Sequence, residues 1–151
     1  MVLWRISNHN DLSGLGGERA DGRWHTAARG KRIVYLSQHP AVALVETLVN
    51  LRGNAALFPE RFQLLKVSVP ADVDVAEAPA ITRLEALAET QIVGNEWLAS
   101  GDSAILRVPS VPSPESSNYL LNPLHPRAMG VAIEWDRSIA YDRRLFRLKS
   151  L

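Results

Sequence analysis

The chain is 151 residues long, with 46% hydrophobic and 22% charged residues, a balance that excludes wholesale disorder and permits a core without covalent staples. Seventeen Lys+Arg against sixteen Asp+Glu leave a net charge of +1, which argues against direct nucleic-acid or membrane binding as the main task. The lack of cysteine excludes a disulfide framework, a thiolate metal site and a cysteine nucleophile. With no signal-peptide pattern and no apolar run of membrane-spanning length, a cytoplasmic single domain over residues 1–151 is expected. Positive charge is carried by 14 Arg and 3 Lys; the Arg fork suits phosphates and carboxylates, although a codon bias produces the same skew.

Val2 to Ile6 reads as an opening strand. Residues 8 to 32 hold few aliphatics and contain Gly14, Gly16, Gly17, Gly22 and Gly30; a loop of that length is usually functional or mobile. Ile33-Val34-Tyr35-Leu36 is a compact β-prone run, and Ser37 after it is a good helix N-cap. A helix then runs with Pro40 in its first turn to about Leu51, before Gly53. Phe62 to Val69 is the next strand, stopped by Pro70. Val73 and Val75 alternate with Asp72 and Asp74 in an edge-like piece. Helices are predicted over 82–88 and 90–100, then strands over Ala104–Val108, Asn118–Asn122 and Gly130–Trp135. The segment from Arg143 to Arg147 is too short to classify. Without regular βαβ alternation, the fold class expected is α+β.

The helix over 41–50 presents Ala41, Leu44, Val45 and Leu48 at core-facing spacing, with Val42 and Val49 on a second flank. Glu46 lies beside both valines and is the only ionisable group between His39 and Arg52. A carboxylate there is expensive to desolvate without a partner. It is either paired with an arginine, turned to solvent, or kept for its charge, and the pattern names no reaction.

Gly22-Arg23-Trp24-His25 lies late in the glycine-rich stretch. Arg23 could clamp a pyrophosphate, and Trp24 or Tyr35 could stack on a flat ring, whereas the bland alternative has Trp24 plugging the core edge. Neither GxGxxG nor GxxxxGK[ST] is present. The four histidines have no metal-ligand spacing, so no metal is expected. No GxSxG elbow supports a serine hydrolase. The prolines of 108–114 stiffen the connection that carries Ser110, and Asn118 and Asn122 bracket Tyr119-Leu120-Leu121. Such connections serve as binding elements or as plain turns. Trp4, Trp97, Trp135 and Phe146 are either surplus aromatics for an interface or ordinary core.

Taken in order, Leu3-Trp4-Arg5-Ile6, Gly22-Arg23-Trp24-His25, Val34-Tyr35-Leu36-Ser37, Ala43-Leu44-Val45-Glu46, Val108-Pro109-Ser110 and Asn118-Tyr119-Leu120-Leu121-Asn122-Pro123-Leu124-His125-Pro126 resemble the RES domain. That domain is the toxin half of Xre–RES toxin–antitoxin pairs, and the opening motif is similar to that of its ParT-like members. The resemblance implies a fold related to ADP-ribosyltransferase toxins, NAD⁺ as substrate, and a cognate Xre-type antitoxin forming a hetero-oligomer with the toxin. Some members degrade NAD⁺ by phosphorolysis or hydrolysis, while ParT-like ones modify a protein acceptor, phosphoribosyl pyrophosphate synthetase.

Carried onto this chain, the family's Arg, Glu and Ser fall on Arg23, Glu46 and Ser110, and Tyr35 matches its strand tyrosine. Lys31 or Arg32 stands near a second basic position. His25 replaces an Asn found in many members and is given no catalytic role. The implied roles are charge stabilisation by Glu46, diphosphate binding by Arg23, stacking by Tyr35 or Trp24, and ribose contacts from Ser110, Asn118 and Asn122. The competing expectation is a nucleotide-binding module without chemistry.

Overall fold

The structure, a computed structural model, describes residues 1–51 and 59–146. Its strands are β1 (Val2–Ile6), β2 (Val34–Ser37), β3 (Arg61–Ser68), β4 (Val75–Glu77), β5 (Ile105–Pro109), β6 (Ser117–Leu121) and β7 (Ala132–Ala140). They form one sheet in the order β4-β5-β6-β2-β1-β3-β7. Three helices accompany it: α1 (Gly16–Arg19), α2 (Pro40–Asn50) and α3 (Leu87–Ser100). The fold is α+β, as the sequence predicts.

Position in the sheet explains the sequence of each strand. Central β6 is covered on both faces, and four of its five residues are buried, so its apolar side chains do not alternate with exposed polar ones. Edge strand β7 instead carries Glu134, Asp136 and Arg137, charges that discourage pairing with another chain. All pairs are antiparallel except β4 with β5, and α3 provides the crossover a parallel pair needs. This βαβ unit escapes sequence reading because β4 has only three residues, Val-Ala-Glu.

The sheet divides the core in two. Leu3, Val34, Leu36, Leu65, Val67, Ile105 and Leu121 pack on one face. Leu106, Val108 and Leu120 meet Trp24, Ile33 and Trp97 on the other. Register places the polar groups of interest on this second face. Trp4 pairs with Ser37, Ser37 with Asn118, and Asn118 with Val108. Ser110, two residues beyond Val108, and Tyr35, two before Ser37, continue the same face.

Several expectations are corrected. Ser37 ends β2 instead of capping a helix; the N-cap is His39, whose Nδ1 accepts from the Ala41 N–H at 3.1 Å, because a helix with Pro40 at its first position needs its cap one residue before the proline. The stop predicted at Gly53 lies outside the described residues. α2 is turned roughly half a revolution from the predicted orientation: Val42 and Ala43 are buried, Glu46 and Thr47 half-buried, and Ala41, Val45 and Val49 exposed. Apolar spacing misleads here because the inner face is partly polar and its polar groups are satisfied. The predicted helix over 82–88 is bend, turn and irregular chain up to Ala86, with α3 beginning at Leu87, and the last predicted strand runs on to Ala140. The glycine-rich stretch contains the single turn α1. Arg143–Phe146 forms a 3-10 turn.

The surplus aromatics pack within the chain. Trp97 is buried and its Nε1 donates to Ser103 Oγ at 2.9 Å. Trp4 meets Trp135 edge-on with ring centroids 5.6 Å apart, and Phe146 meets Tyr141 similarly.

Candidate functional site

Glu46 points inward, across the end of the sheet. Ser110 Oγ donates to its Oε1 at 2.7 Å, and Asn118 Nδ2 donates to the same oxygen at 2.6 Å. Asn118 Oδ1 in turn accepts from Ser37 Oγ at 2.7 Å. Ser37, Ser110 and Asn118 are all buried, so these charge-assisted bonds are shielded from competing water. Both donors fall on Oε1, which leaves Oε2 without a protein donor among the described residues. The carboxylate is therefore fixed in direction while its second oxygen takes no donor among the described residues.

This arrangement differs from the apolar surroundings predicted for Glu46. Val49 is 52% exposed, and the near neighbours of the carboxylate are hydroxyl and amide groups. Fixed dipoles, not a greasy wall, hold the charge.

The second half of the site is the segment around Arg23, packed against β2 and α3. Tyr35 is its anchor. The Tyr35 hydroxyl accepts from the Trp24 N–H at 3.1 Å and lies 2.7 Å from His25 Nδ1. His25 Nε2 lies 3.0 Å from Gly17 O. A carbonyl only accepts, so Nε2 carries the hydrogen, Nδ1 is the acceptor, and the Tyr35 hydroxyl donates to it. Burial lowers the His25 pKa below its ordinary 6.5, which favours this neutral form. Burial also raises the Tyr35 pKa, with Arg23 nearby opposing it; the phenol stays protonated as the network requires.

α3 grips the same segment through its backbone. Thr90 Oγ1 donates to Arg23 O at 2.6 Å, Gln91 Nε2 to Gly22 O at 3.0 Å, and the Thr26 N–H to Asn95 Oδ1 at 3.1 Å. Gly94 permits the contact: a Cβ there would sit 1.7 Å from Trp24 O. A Cβ on Gly22 would lie 2.3 Å from the Tyr35 hydroxyl. Only glycine fits at either place. The Arg23 side chain is half-buried, and among the described residues its one hydrogen bond is a long one, 3.4 Å from Nη1 to Glu85 O. Its charge remains available.

Two predicted binding residues lie elsewhere. Trp24 is only 2% exposed and packs with Ile33, Trp97 and Leu120; its indole fills the core and offers no open face to a ligand ring. Asn122 sits four residues along the chain from Asn118, about 13 Å away in an extended strand. There its Oδ1 accepts from the Leu124 N–H at 3.1 Å, an Asx turn that orders the following loop. Of the two basic candidates, Arg32 pairs with Glu18 at 2.6 Å, and Lys31 Nζ donates to Thr26 O and Asn95 Oδ1. Both cations brace the loop.

Sequence reasoning missed Ser37, Thr90, Gln91 and Asn95. The signal for Ser37 was present, since a hydroxyl in an otherwise apolar central strand needs a buried partner. The α3 residues bond across 67–69 positions of sequence, and no local pattern announces that. Among the described residues no three His, Asp or Glu side chains are grouped to hold a metal. No helix among them is long and apolar enough to cross a membrane.

With this geometry established, the comparisons are specific. The model of the RES domain family matches residues 2–144. A protein called Toxin Res from Pseudomonas putida is 40% identical over 148 residues, covering 97% of this chain and 100% of the relative. The Prs ADP-ribosylating toxin of a Sphingobium species is 35% identical, with 96% of each chain covered. The solved M. tuberculosis MbcT-MbcA toxin-antitoxin complex contains a chain that superposes with a TM-score of 0.75, at 16% identity, over 96% of this chain and 86% of that one. The last likeness is one of fold.

Proposed function

The chain belongs to the RES domain family, and on that footing we propose that it is the toxin of a toxin–antitoxin pair that cleaves the nicotinamide–ribose bond of NAD⁺. The observation that carries the reading is the Glu46 carboxylate, held by Ser110 and Asn118 on Oε1, with no donor to Oε2 among the described residues.

Cleavage breaks the bond between the anomeric carbon and the pyridinium nitrogen. Nicotinamide leaves with the electron pair as a neutral molecule. The ribose passes through an oxocarbenium-like state until an acceptor oxygen attacks the same carbon and gives up its proton. A carboxylate fixed beside that carbon interacts more strongly with the developing cation than with ground-state ribose, so it lowers the barrier. Glu46 takes this part through Oε2, directly or through a ribose hydroxyl. Ser110 and Asn118 act as positioning residues, since their donors are committed to Oε1 and Ser110 is fully buried. Arg23 grips the diphosphate, and the Tyr35 ring lies alongside the nicotinamide end.

The acceptor separates two versions of the reaction. Water or phosphate would make the protein an NAD⁺-degrading enzyme, whereas a protein side chain would make it a mono-ADP-ribosyltransferase. The second version is favoured by the Sphingobium relative, named for ADP-ribosylation of Prs. An antitoxin partner, of the Xre type implied by the family resemblance, is part of the proposal, as is a cytoplasmic site of action.

The test is purified protein with NAD⁺, with and without phosphate and a candidate acceptor protein, followed by mass spectrometry of small molecules and proteins. Release of nicotinamide is expected, and Glu46→Gln should lower turnover by roughly 10²–10³-fold. Wild-type turnover in a folded Glu46→Gln variant would overturn the assignment. Calorimetric NAD⁺ binding without nicotinamide release would instead favour the non-catalytic module.

A further inference from the structure

His25 is a residue the reaction does not use, yet it is a fully engaged, buried polar side chain two residues from Arg23. It is 2% exposed, and both ring nitrogens are engaged. We propose that His25 is a positioning residue: as the neutral Nε2–H tautomer it ties Gly17 to the Tyr35 hydroxyl and thereby holds the 22–26 segment, and Arg23 with it, in the orientation that grips substrate phosphate. The proposal rests on the reading of Arg23 as the diphosphate clamp.

The mechanical path is continuous. From Gly17 O the chain of bonds passes through the imidazole to the Tyr35 hydroxyl and on to the Trp24 N–H, adjacent to Arg23. β2 fixes the tyrosine through its pairing with β6. On the other side of the segment, Thr90 fixes the carbonyl of Arg23 itself. The Gly22 N–H donates to His25 O at 3.0 Å and closes the turn. Arg23 is thus the tip of a turn clamped on one flank by β2 and on the other by α3. Its long side chain has little polar to orient it, because its one hydrogen bond among the described residues is the weak one to Glu85 O. Removing the imidazole frees the Tyr35 hydroxyl to rotate and leaves Gly17 O without its donor. The arginine then loses a defined starting position, and the entropy of ordering it falls on substrate binding.

This role differs from simple core packing in what it predicts. His25→Leu, which keeps bulk and removes both bonds, should raise KM for NAD⁺ roughly tenfold or more while kcat stays within about threefold. His25→Asn keeps an acceptor close to the Nδ1 position and should recover most of that loss. Tyr35→Phe, which keeps the ring and deletes only the hydroxyl, should reproduce the KM effect, and Thr90→Val should do so from the opposite flank.

The tautomer and the clamp are also read without NAD⁺. ¹⁵N shifts of His25 should report hydrogen on Nε2, and amide exchange of residues 22–26 should accelerate in His25→Leu. If wild-type protein releases no nicotinamide, the proposed function fails, and these two measurements alone decide the clamp. Should His25→Leu not fold, Tyr35→Phe and Thr90→Val carry the kinetic test. The proposal is overturned by an Nδ1–H tautomer, by folded variants that melt lower with KM unchanged, or by His25→Asn behaving no better than His25→Leu.

Discussion

The two halves of the candidate site are built in opposite ways. Around Glu46, side chain meets side chain: Ser110 and Asn118 converge on one carboxylate oxygen, and Ser37 from a third strand holds Asn118 from behind. Around Arg23, side chains meet backbone: Thr90, Gln91 and Asn95 of α3 hold the main chain of the loop and leave the guanidinium unconstrained. A charge that must stabilise a fleeting cation needs fixed direction. A cation that must close on a flexible diphosphate needs a fixed root and a free tip. Damage to the first half should therefore act through the charge, and damage to the second through geometry.

The comparison breaks most sharply at Gly94. With a Cβ 1.7 Å from Trp24 O, Gly94→Ala must push α3 and the loop apart. A backbone atom cannot rotate out of the way, so the loss should be at or above the ~3 kcal/mol upper end for overpacking. In a chain this size, that lowers the melting temperature by about 6–12 °C in calorimetry. Substrate affinity should fall with it, because the displaced segment carries Arg23.

On the carboxylate side, Ser110→Ala and Asn118→Ala should each cost roughly 1–3 kcal/mol in denaturant unfolding, since each removes a buried partner of a charged group. Because both donors serve the same oxygen, the double variant should depart from additivity by about 0.5–3 kcal/mol. Additive losses would show that the two bonds are independent and that the convergence on Oε1 is incidental.

α2 supplies a smaller test. Val42 is buried and Val49 is 52% exposed. Val42→Ala should cost about 2 kcal/mol, from lost apolar burial and an incompletely filled cavity, against less than about 0.5 kcal/mol for Val49→Ala. Because the two valines share one face of the helix, equal losses would mean that the last turn of α2 is covered as fully as its first.

That helix shows where sequence reading succeeds and where it stops. Glu46 stood out as a carboxylate without an obvious local partner, and its partners do come from strand ends that periodicity could place. The face it uses could not be read, because the exposed stripe of α2 is more apolar than the buried one; hydrogen bonds from elsewhere in the chain reverse the pattern. Trp24 was legible as either a core plug or a stacking ring, and burial decides for the plug. The clamp by Thr90, Gln91 and Asn95 had no legible trace, since polar residues on a helix normally mean solvent, and only the tertiary fold brings a loop backbone against them. Ser37 was misread for a related reason: a serine before a helix suits a cap, yet its hydroxyl is taken by Asn118 across the sheet.

Acid tests the loop half through His25. His25 has a folded pKa below its ordinary 6.5, chiefly through burial and with Lys31 opposing its charge, while Asp21 and the bond to Gly17 act the other way. On acidification the unfolded chain takes the proton first. Stability from the neutral ring is therefore complete above about pH 6.5 and declines as pH falls from there toward the folded value, by at most about 1.4 kcal/mol per pH unit. Protonation also places a donor on Nδ1, where the Tyr35 hydroxyl now donates, so the bond must reverse and the hydroxyl hydrogen must turn away from the ring. Chemical unfolding between pH 7 and 5 should show this slope in the wild type and a flatter one in His25→Asn. Carboxylates with lowered pKa values, such as Glu18 bound to Arg32 and Asp142 bound to Arg144, lose their contribution only at lower pH. An unchanged slope in His25→Asn would mean that the loop's acid sensitivity arises from a group other than the imidazole.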